Sequence, residues 1–221
     1  MNIQYITGTL FFFIIWLILY IHKKNLRKEI LIMSLITMPF GPISEILYLK
    51  DYWHPTYLIN LFGFGIEDLL FAFFVGGIGA VIYEELFVKR IRKGKTEHSK
   101  TIISLGIIGL IIIFLATFFL KMNSIYSTSI VMLFIGIIII MKRRDLLKNA
   151  LINGILISLL MFVFYTIYTQ IFPTIIQDWW KLSNLSGVII YRAPLEEILW
   201  GFSWGFLINP LYEFWRDIHD K

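Results

Sequence analysis

Seven apolar stretches, roughly 7–21, 29–48, 64–88, 102–120, 125–141, 149–171 and 188–209, leave this chain little freedom of fold. Each is long enough, or nearly so, to cross about 30 Å of hydrocarbon as a helix rising about 1.5 Å per residue. Period-two alternation is absent, which argues against a membrane barrel. A mean hydropathy of +0.76 makes the bilayer, not water, the solvent of most of the chain. The expected fold class is therefore all-α: a polytopic membrane protein with seven transmembrane helices.

The cations supply a topology. Lys23, Lys24, Arg27 and Lys28, then Lys89, Arg90, Arg92, Lys93, Lys95 and Lys100, then Lys142, Arg143, Arg144 and Lys148, then Arg216 and Lys221 fall on one side. Only Lys50, Lys121 and Lys181 fall on the other. The positive-inside rule then sets the amino terminus outside and the carboxyl terminus in the cytoplasm of an integral, multi-pass cell-membrane protein, and seven crossings satisfy both ends. The same sorting removes the nucleic-acid reading that a net charge of +5 invites, because the cations sit in short loops at the level of anionic headgroups. No A-x-A site follows the first apolar run, so 7–21 reads as a retained helix and the mature chain as beginning near Met1. The chain has no cysteine, which removes disulfides, thiolate zinc sites and iron–sulfur clusters.

Two of the stretches carry the same acidic signature. Gly65-Ile66-Glu67-Asp68 stands near the start of one and Pro194-Leu195-Glu196-Glu197 near the start of another. Glu84 follows Glu67, and Glu213 follows Glu196, at one identical interval, about 25 Å along an ideal helix, which reads as the cytoplasmic boundary together with Glu85. Asp51-Tyr52-Trp53 and Asp178-Trp179-Trp180 precede the two pairs. The chain thus reads as a single transmembrane domain of two parallel three-helix repeats, about 1–100 and 122–221, joined by a linker helix at about 101–121. The glycine run Gly76-Gly77-Ile78-Gly79-Ala80 lies inside a span with no strand before it, so it reads as a helix-packing surface and not a nucleotide loop.

Carboxyls at membrane depth are costly, about 2.5–3.5 kcal/mol on insertion scales, so Glu67, Asp68, Glu196 and Glu197 need a reason. One reason is local: acids in a first helical turn, with Pro194 as a start signal, face the positive end of a helix dipole. The other is chemical, a proton donor held in a dry place. Phe71 and Phe74 lie four and seven positions after Glu67, Trp200 and Ser203 hold those offsets from Glu196, and Trp204 lies seven after Glu197. These spacings share a helix face. An acid above aromatic faces suits protonation of an alkene, followed by cation–π stabilisation of the carbocation without water. Packing alone is the competing account of each ring. With Phe71, Phe74, Trp200 and Trp204, Arg192 is a candidate for binding substrate; it either pairs with Glu196 or snorkels to the interface. Glu45 is a secondary candidate near the same level.

Other chemistries lack their residues. No Asp-rich diphosphate motif is present, and His22, His54, His98 and His219 are scattered, so no metal site is expected. Glu84-Glu85 faintly resembles the paired glutamates of glutamate-type intramembrane proteases, whose membrane histidines are missing here.

The acidic tetrapeptides, their duplication and the aromatic approach segments resemble the lycopene cyclase domain family, whose repeated signature is Pro-x-Glu-Glu or Pro-x-Glu-Asp opening an aromatic-rich helix. The second copy matches in full; the first has Gly65 in place of proline. The resemblance implies a membrane carotenoid cyclase, an isomerase closing acyclic end groups to β-ionone-type rings without cofactor or redox change. It also implies Glu67, Asp68, Glu196 and Glu197 as the acid/base set and a lipid-soluble polyene as partner. Cyclisation of another isoprenoid polyene, and a non-enzymatic proton-coupled carrier or scaffold, remain alternatives, as does association into homo-oligomers.

Overall fold

A computed structural model describes residues 3–61, 63–88, 91–94 and 96–220. Lys89, Arg90, Lys95 and Lys221, which enter the topology argument, lie outside the described residues. The elements run α1 (Gln4–His22), α2 (Arg27–Thr37), α3 (Phe40–Asp51), β1 (Asn60–Leu61), β2 (Phe64–Gly65), α4 (Ile66–Phe87), β3 (Ile91–Lys93), α5 (Ser99–Phe118), α6 (Ser124–Lys142), α7 (Leu147–Ile171), α8 (Ile175–Trp179), β4 (Ile189–Ile190), β5 (Ala193–Pro194), α9 (Leu195–Arg216) and β6 (Ile218–Asp220).

The fold is all-α, but the seven expected spans are not all continuous apolar helices. Among the described residues five helices have the length and apolar composition to cross a membrane, and six spans result if α2 and α3, bent by 43° at a short break, form one. The bend falls at Pro39, which has no amide hydrogen to give and carries its fixed φ into the first turn of α3. The last helix, α9, is 22 residues long but is kept below that apolar standard by Glu196, Glu197, Asn209 and Glu213. It also starts at Leu195, later than the expected 188–209, because Ile189 and Ile190 pair with Ala193 and Pro194 in a hairpin. Hydropathy alone does not separate an apolar hairpin from a helix. Pro194 accordingly stands at the N-cap of α9, one place before the expected first turn.

Each acidic helix is launched by the same device. Strands β1 and β2 turn over Gly63, whose φ of +105° suits glycine, and α4 begins at the next residue after β2. Strands β4 and β5 do the same for α9. At this hairpin end the chain also crosses itself: Trp53 bridges Trp180, His54 N–H donates to Trp179 O at 2.7 Å, and Lys181 N–H donates to Tyr52 O at 2.8 Å. At the opposite end β3 pairs antiparallel with β6, Lys23 Nζ donates to Glu84 O at 2.9 Å, and Arg216 meets Glu97 at 2.6 Å. Cations at these helix C-termini offset exposed carbonyls and the negative dipole end.

Small residues set the close helix contacts, as the glycine run predicts. A Cβ on Gly76 would collide with Thr37 Oγ1, and one on Gly77 with Ser34 Oγ. From α7, Asn153 Nδ2 donates to Gly79 O at 2.9 Å and Gly205 O at 2.7 Å, tying α4 to α9 through one buried amide. Glu84 and Glu213, interface residues by sequence position, are buried instead. Asn209 Nδ2 donates to Glu84 at 2.5 Å, and Asn149 Nδ2 to both oxygens of Glu213 at 3.0 and 3.1 Å. Glu85 does reach the edge, where it pairs with His22 and with Lys23.

Candidate active site

The carboxyls divide by position within each pair. The first of each is a backbone anchor. Glu67 Oε1 accepts from Leu58 N–H at 2.6 Å, and Glu196 Oε1 accepts from Ser186 N–H at 2.7 Å and Tyr126 OH at 2.6 Å. Each thereby holds the loop leading into its own hairpin. Glu67 does not line the large cavity, and Glu196 lines only a small separate one with Tyr126, Leu199 and Ser203.

The second of each pair faces the large cavity, whose volume is about 690 Å³. Asp68 Oδ1 accepts from Tyr5 OH at 2.6 Å, while its Oδ2 accepts from Gly65 N–H at 2.7 Å, closing the first turn of α4 as an N3 acid does. Glu197 accepts from Tyr52 OH and from Trp180 Nε1, the latter at 2.8 Å, and the Tyr165 hydroxyl also faces it. Glu45, the secondary candidate, belongs to the same group. It is 3% exposed and accepts from Trp53 Nε1 and Tyr57 OH, both at 3.2 Å. The Tyr57 hydroxyl serves both Glu45 and Asp68, and burial, reinforced by those two carboxyls, pushes its phenol above the ordinary value. It is thus a neutral donor shared between two acids. Glu45, Asp68 and Glu197 all line the cavity, so α3, α4 and α9 deliver three carboxyls to one apolar chamber.

Aromatic rings roof and floor this chamber. Tyr5 meets Trp53 edge-on at 5.3 Å, Trp53 meets Trp180 at 5.5 Å, and Trp179 and Trp180 stack at 6.3 Å. Beneath them Phe71 faces Trp200 at 6.3 Å, and Trp200 lies parallel to Trp204 at 5.9 Å, all three lining the cavity. Phe74 does not join them; it packs with Phe13 and Trp16 away from the cavity. Arg192 sits exposed in the β4–β5 turn and donates to Thr169 O at 3.4 Å, and among the described residues no ion pair joins it to Glu196.

Sequence spacing does not reveal the tyrosines and indoles that hold the acids. Tyr5 and Tyr52 act across 63 and 145 positions. Their one trace in the sequence is the doublet Tyr52-Trp53 and Trp179-Trp180, legible as a repeat marker but not as a ligand set. Among the described residues no group of three His, Cys, Asp or Glu side chains is arranged to hold a metal ion.

The family model described as Lycopene cyclase matches residues 2–86 and 123–215, leaving α5 between the two matched regions. No curated protein and no solved structure matches the chain. The two matched regions carry one acidic helix each, α4 and α9, and meet around one chamber; the chain belongs to the lycopene cyclase family, in the form that holds the family's region twice.

Proposed function

We propose that this protein closes the acyclic end group of a carotenoid, lycopene or a close analogue, to a six-membered β-ionone-type ring within the membrane. The observation that carries the proposal is the apolar, aromatic-lined chamber ending at Glu45, Asp68 and Glu197. One carboxylic acid gives its proton to the terminal double bond of the end group. The internal double bond supplies its electron pair to the resulting cation and the ring closes. A carboxylate then takes a ring proton, restoring a double bond, so atoms and charge balance without redox change. Phe71, Trp200 and Trp204 present the ring faces that stabilise the intermediate cation, and the closed aromatic layer of Tyr5, Trp53 and Trp180 keeps water from trapping it. The reaction so written is an isomerisation and calls for no cofactor.

In this account Asp68 and Glu197, with Glu45, are the acid/base groups, and Glu67 and Glu196 position the hairpins that aim them. The fold would be two copies of one three-helix unit, with α5 as linker. What supports this is a numbering shift: α1 and α6 are both 19 residues and 120 apart, the α2–α3 segment 27–51 shifts by 120 onto α7, and α4 and α9 are both 22 residues and 129 apart. Counting α9 as a span gives seven crossings, with the hairpin end outside and the lysine- and arginine-rich end cytoplasmic.

The test is expression in a bacterium that accumulates lycopene, followed by chromatography of extracted pigments, beside variants Asp68→Asn and Glu197→Gln. Cyclic carotenes that disappear in both variants are expected. Unchanged lycopene from well-expressed wild type would reject lycopene as substrate, and conversion that persists in both variants would reject these acids.

A further inference from the structure

The chamber is not closed on all sides: among the described residues, the exposed apolar side chains that line it stand on α3 and the end of α2 and, across from them, on α5. Along α3, Ile43 and Ile46 line the cavity yet are 44% and 73% exposed. Across from them on α5, Ile103, Ile107, Leu110 and Phe114 also line it and are 47–61% exposed. The same side chains therefore border the chamber and the outside. Helix α5 is held at both ends. His98 stacks on Phe214 at 4.4 Å and Trp215 Nε1 donates to Ser99 Oγ at 2.8 Å, while at the other end Lys50 Nζ lies 4.2 Å over the Phe118 ring. Beside that second end, Asp51 on α3 accepts from Ser124 Oγ at 2.5 Å, so α3 is tied to the start of α6 as well. Between its ends α5 packs chiefly on α6, where a Cβ on Gly109 would meet Ile135 at 2.8 Å.

The repeat-related contact, α7 against α1 where α3 stands against α6, is filled by a ring. Between α1 and α7, Phe164 packs against Phe12 at 4.7 Å and Phe11 at 5.3 Å, and its ring lies 3.2 Å from the position of a Cβ on Gly8. Under the shift of 120 the residue matching Phe164 is Ser44, which lines the chamber on α3. A small side chain thus stands in place of a ring on the helix that borders the open seam between α3 and α5.

We propose that the polyene reaches the acids sideways from the hydrocarbon core, threading one end between α3 and α5 while the rest of its length stays in lipid. This rests on the cyclase reading above. The occupant follows from the seam's continuity with the chamber: an apolar, chain-like molecule fits the exposed isoleucines, and its leading end arrives at Glu45, Asp68 and Glu197. A phospholipid tail has the same apolarity but brings no alkene to those acids at its leading end.

The chain has no cysteine, so single cysteines can be labelled without background. Ile46→Cys and Ile107→Cys place a bulky maleimide on the seam; Ile14→Cys and Ile155→Cys, 57% and 58% exposed on α1 and α7, place it elsewhere on the lipid-facing surface. Each purified variant, labelled or not, is returned to liposomes containing lycopene. Two quantities are read: initial rate of cyclisation, and lycopene retained per protein on repurification. Labelling is expected to lower both by about ten-fold or more at the seam and to leave both within about two-fold at the control positions. Equal effects at all four positions, or none at the seam, overturn the proposal. If the unlabelled protein retains lycopene but never cyclises it, and seam labels still abolish retention, the cyclase reading fails and the seam stands. A protein that retains no lycopene overturns both.

Discussion

Asp68→Asn and Glu67→Gln are neighbouring substitutions that replace a carboxyl by its amide, and the proposed mechanism assigns them opposite outcomes. The Asp68→Asn amide would keep the shape of the first turn but would neither give nor take a proton. General acid–base catalysis contributes typically about 10²–10⁴-fold, so the loss expected in rate is of that order, or about 3–5 kcal/mol in the barrier. The Glu67→Gln amide would keep an oxygen for Leu58 N–H. Its new nitrogen would stand where Glu67 Oε2 is buried with no hydrogen-bond partner among the described residues. An unsatisfied buried donor costs about 1–3 kcal/mol, which lowers stability within the roughly 5–15 kcal/mol typical of a folded domain but leaves the reacting groups in place. The assay is the initial rate of cyclic carotene formation in liposomes, normalised to protein that elutes as a single species in detergent, with a thermal melt of each variant. Glu67→Gln is expected to keep its rate within about ten-fold and to melt earlier, and Asp68→Asn to do the reverse. If Glu67→Gln loses as much rate as Asp68→Asn at equal folded protein, the division of the acid pair into anchor and reacting group is wrong.

Other perturbations probe separate parts of the account. Ser44→Phe supplies at the matching position the ring that Phe164 supplies in the other half, and is expected to fill the chamber beside the open seam and abolish cyclisation in protein that still folds; unchanged activity would show that Ser44 does not border the path. Asp51→Ala removes the acceptor of Ser124 N–H and Oγ, which join the end of α3 to the start of α6, and is expected to cost about 1–3 kcal/mol, read as an earlier melt in detergent. The Asp217 carboxyl, beyond the end of α9, is held below its ordinary range by the Thr96 N–H at 3.1 Å and by His219. A depressed carboxyl contributes stability above its unfolded value and loses it as pH falls through the folded one. The segment around β6 is therefore expected to gain protease sensitivity as the pH is lowered below about 4, where the Asp217 carboxylate is lost.

Much of the fold is legible in the sequence because apolar length and loop charge are read directly by the bilayer. The stretch 149–171 matches α7 to within two positions, and 125–141 matches α6 to within one. The failures have physical causes. The stretch 29–48 is apolar on both sides of residue 38, so its hydropathy does not mark the bend, although Pro39 does; Ile189 and Ile190 are as apolar in a hairpin as in a helix. The duplicated acids are visible, but not their division, since spacing gives Glu67 and Asp68 the same environment and only the fold turns one toward Leu58 and the other toward Tyr5. Glu45 has no visible counterpart because under the shift of 120 its match is Tyr165, a phenol that faces Glu197 where Glu45 neighbours Asp68.

The most direct test of the central claim, that a protein carboxyl starts ring closure by protonating the end group, is cyclisation of lycopene by the purified protein in deuterated water. An acid in exchange with solvent gives a deuteron to the terminal alkene and a base removes a protium from the ring. The product should therefore carry one deuterium for each ring formed and otherwise match lycopene in mass. A cyclic product without deuterium, or one that has gained hydrogen or oxygen overall, would contradict it.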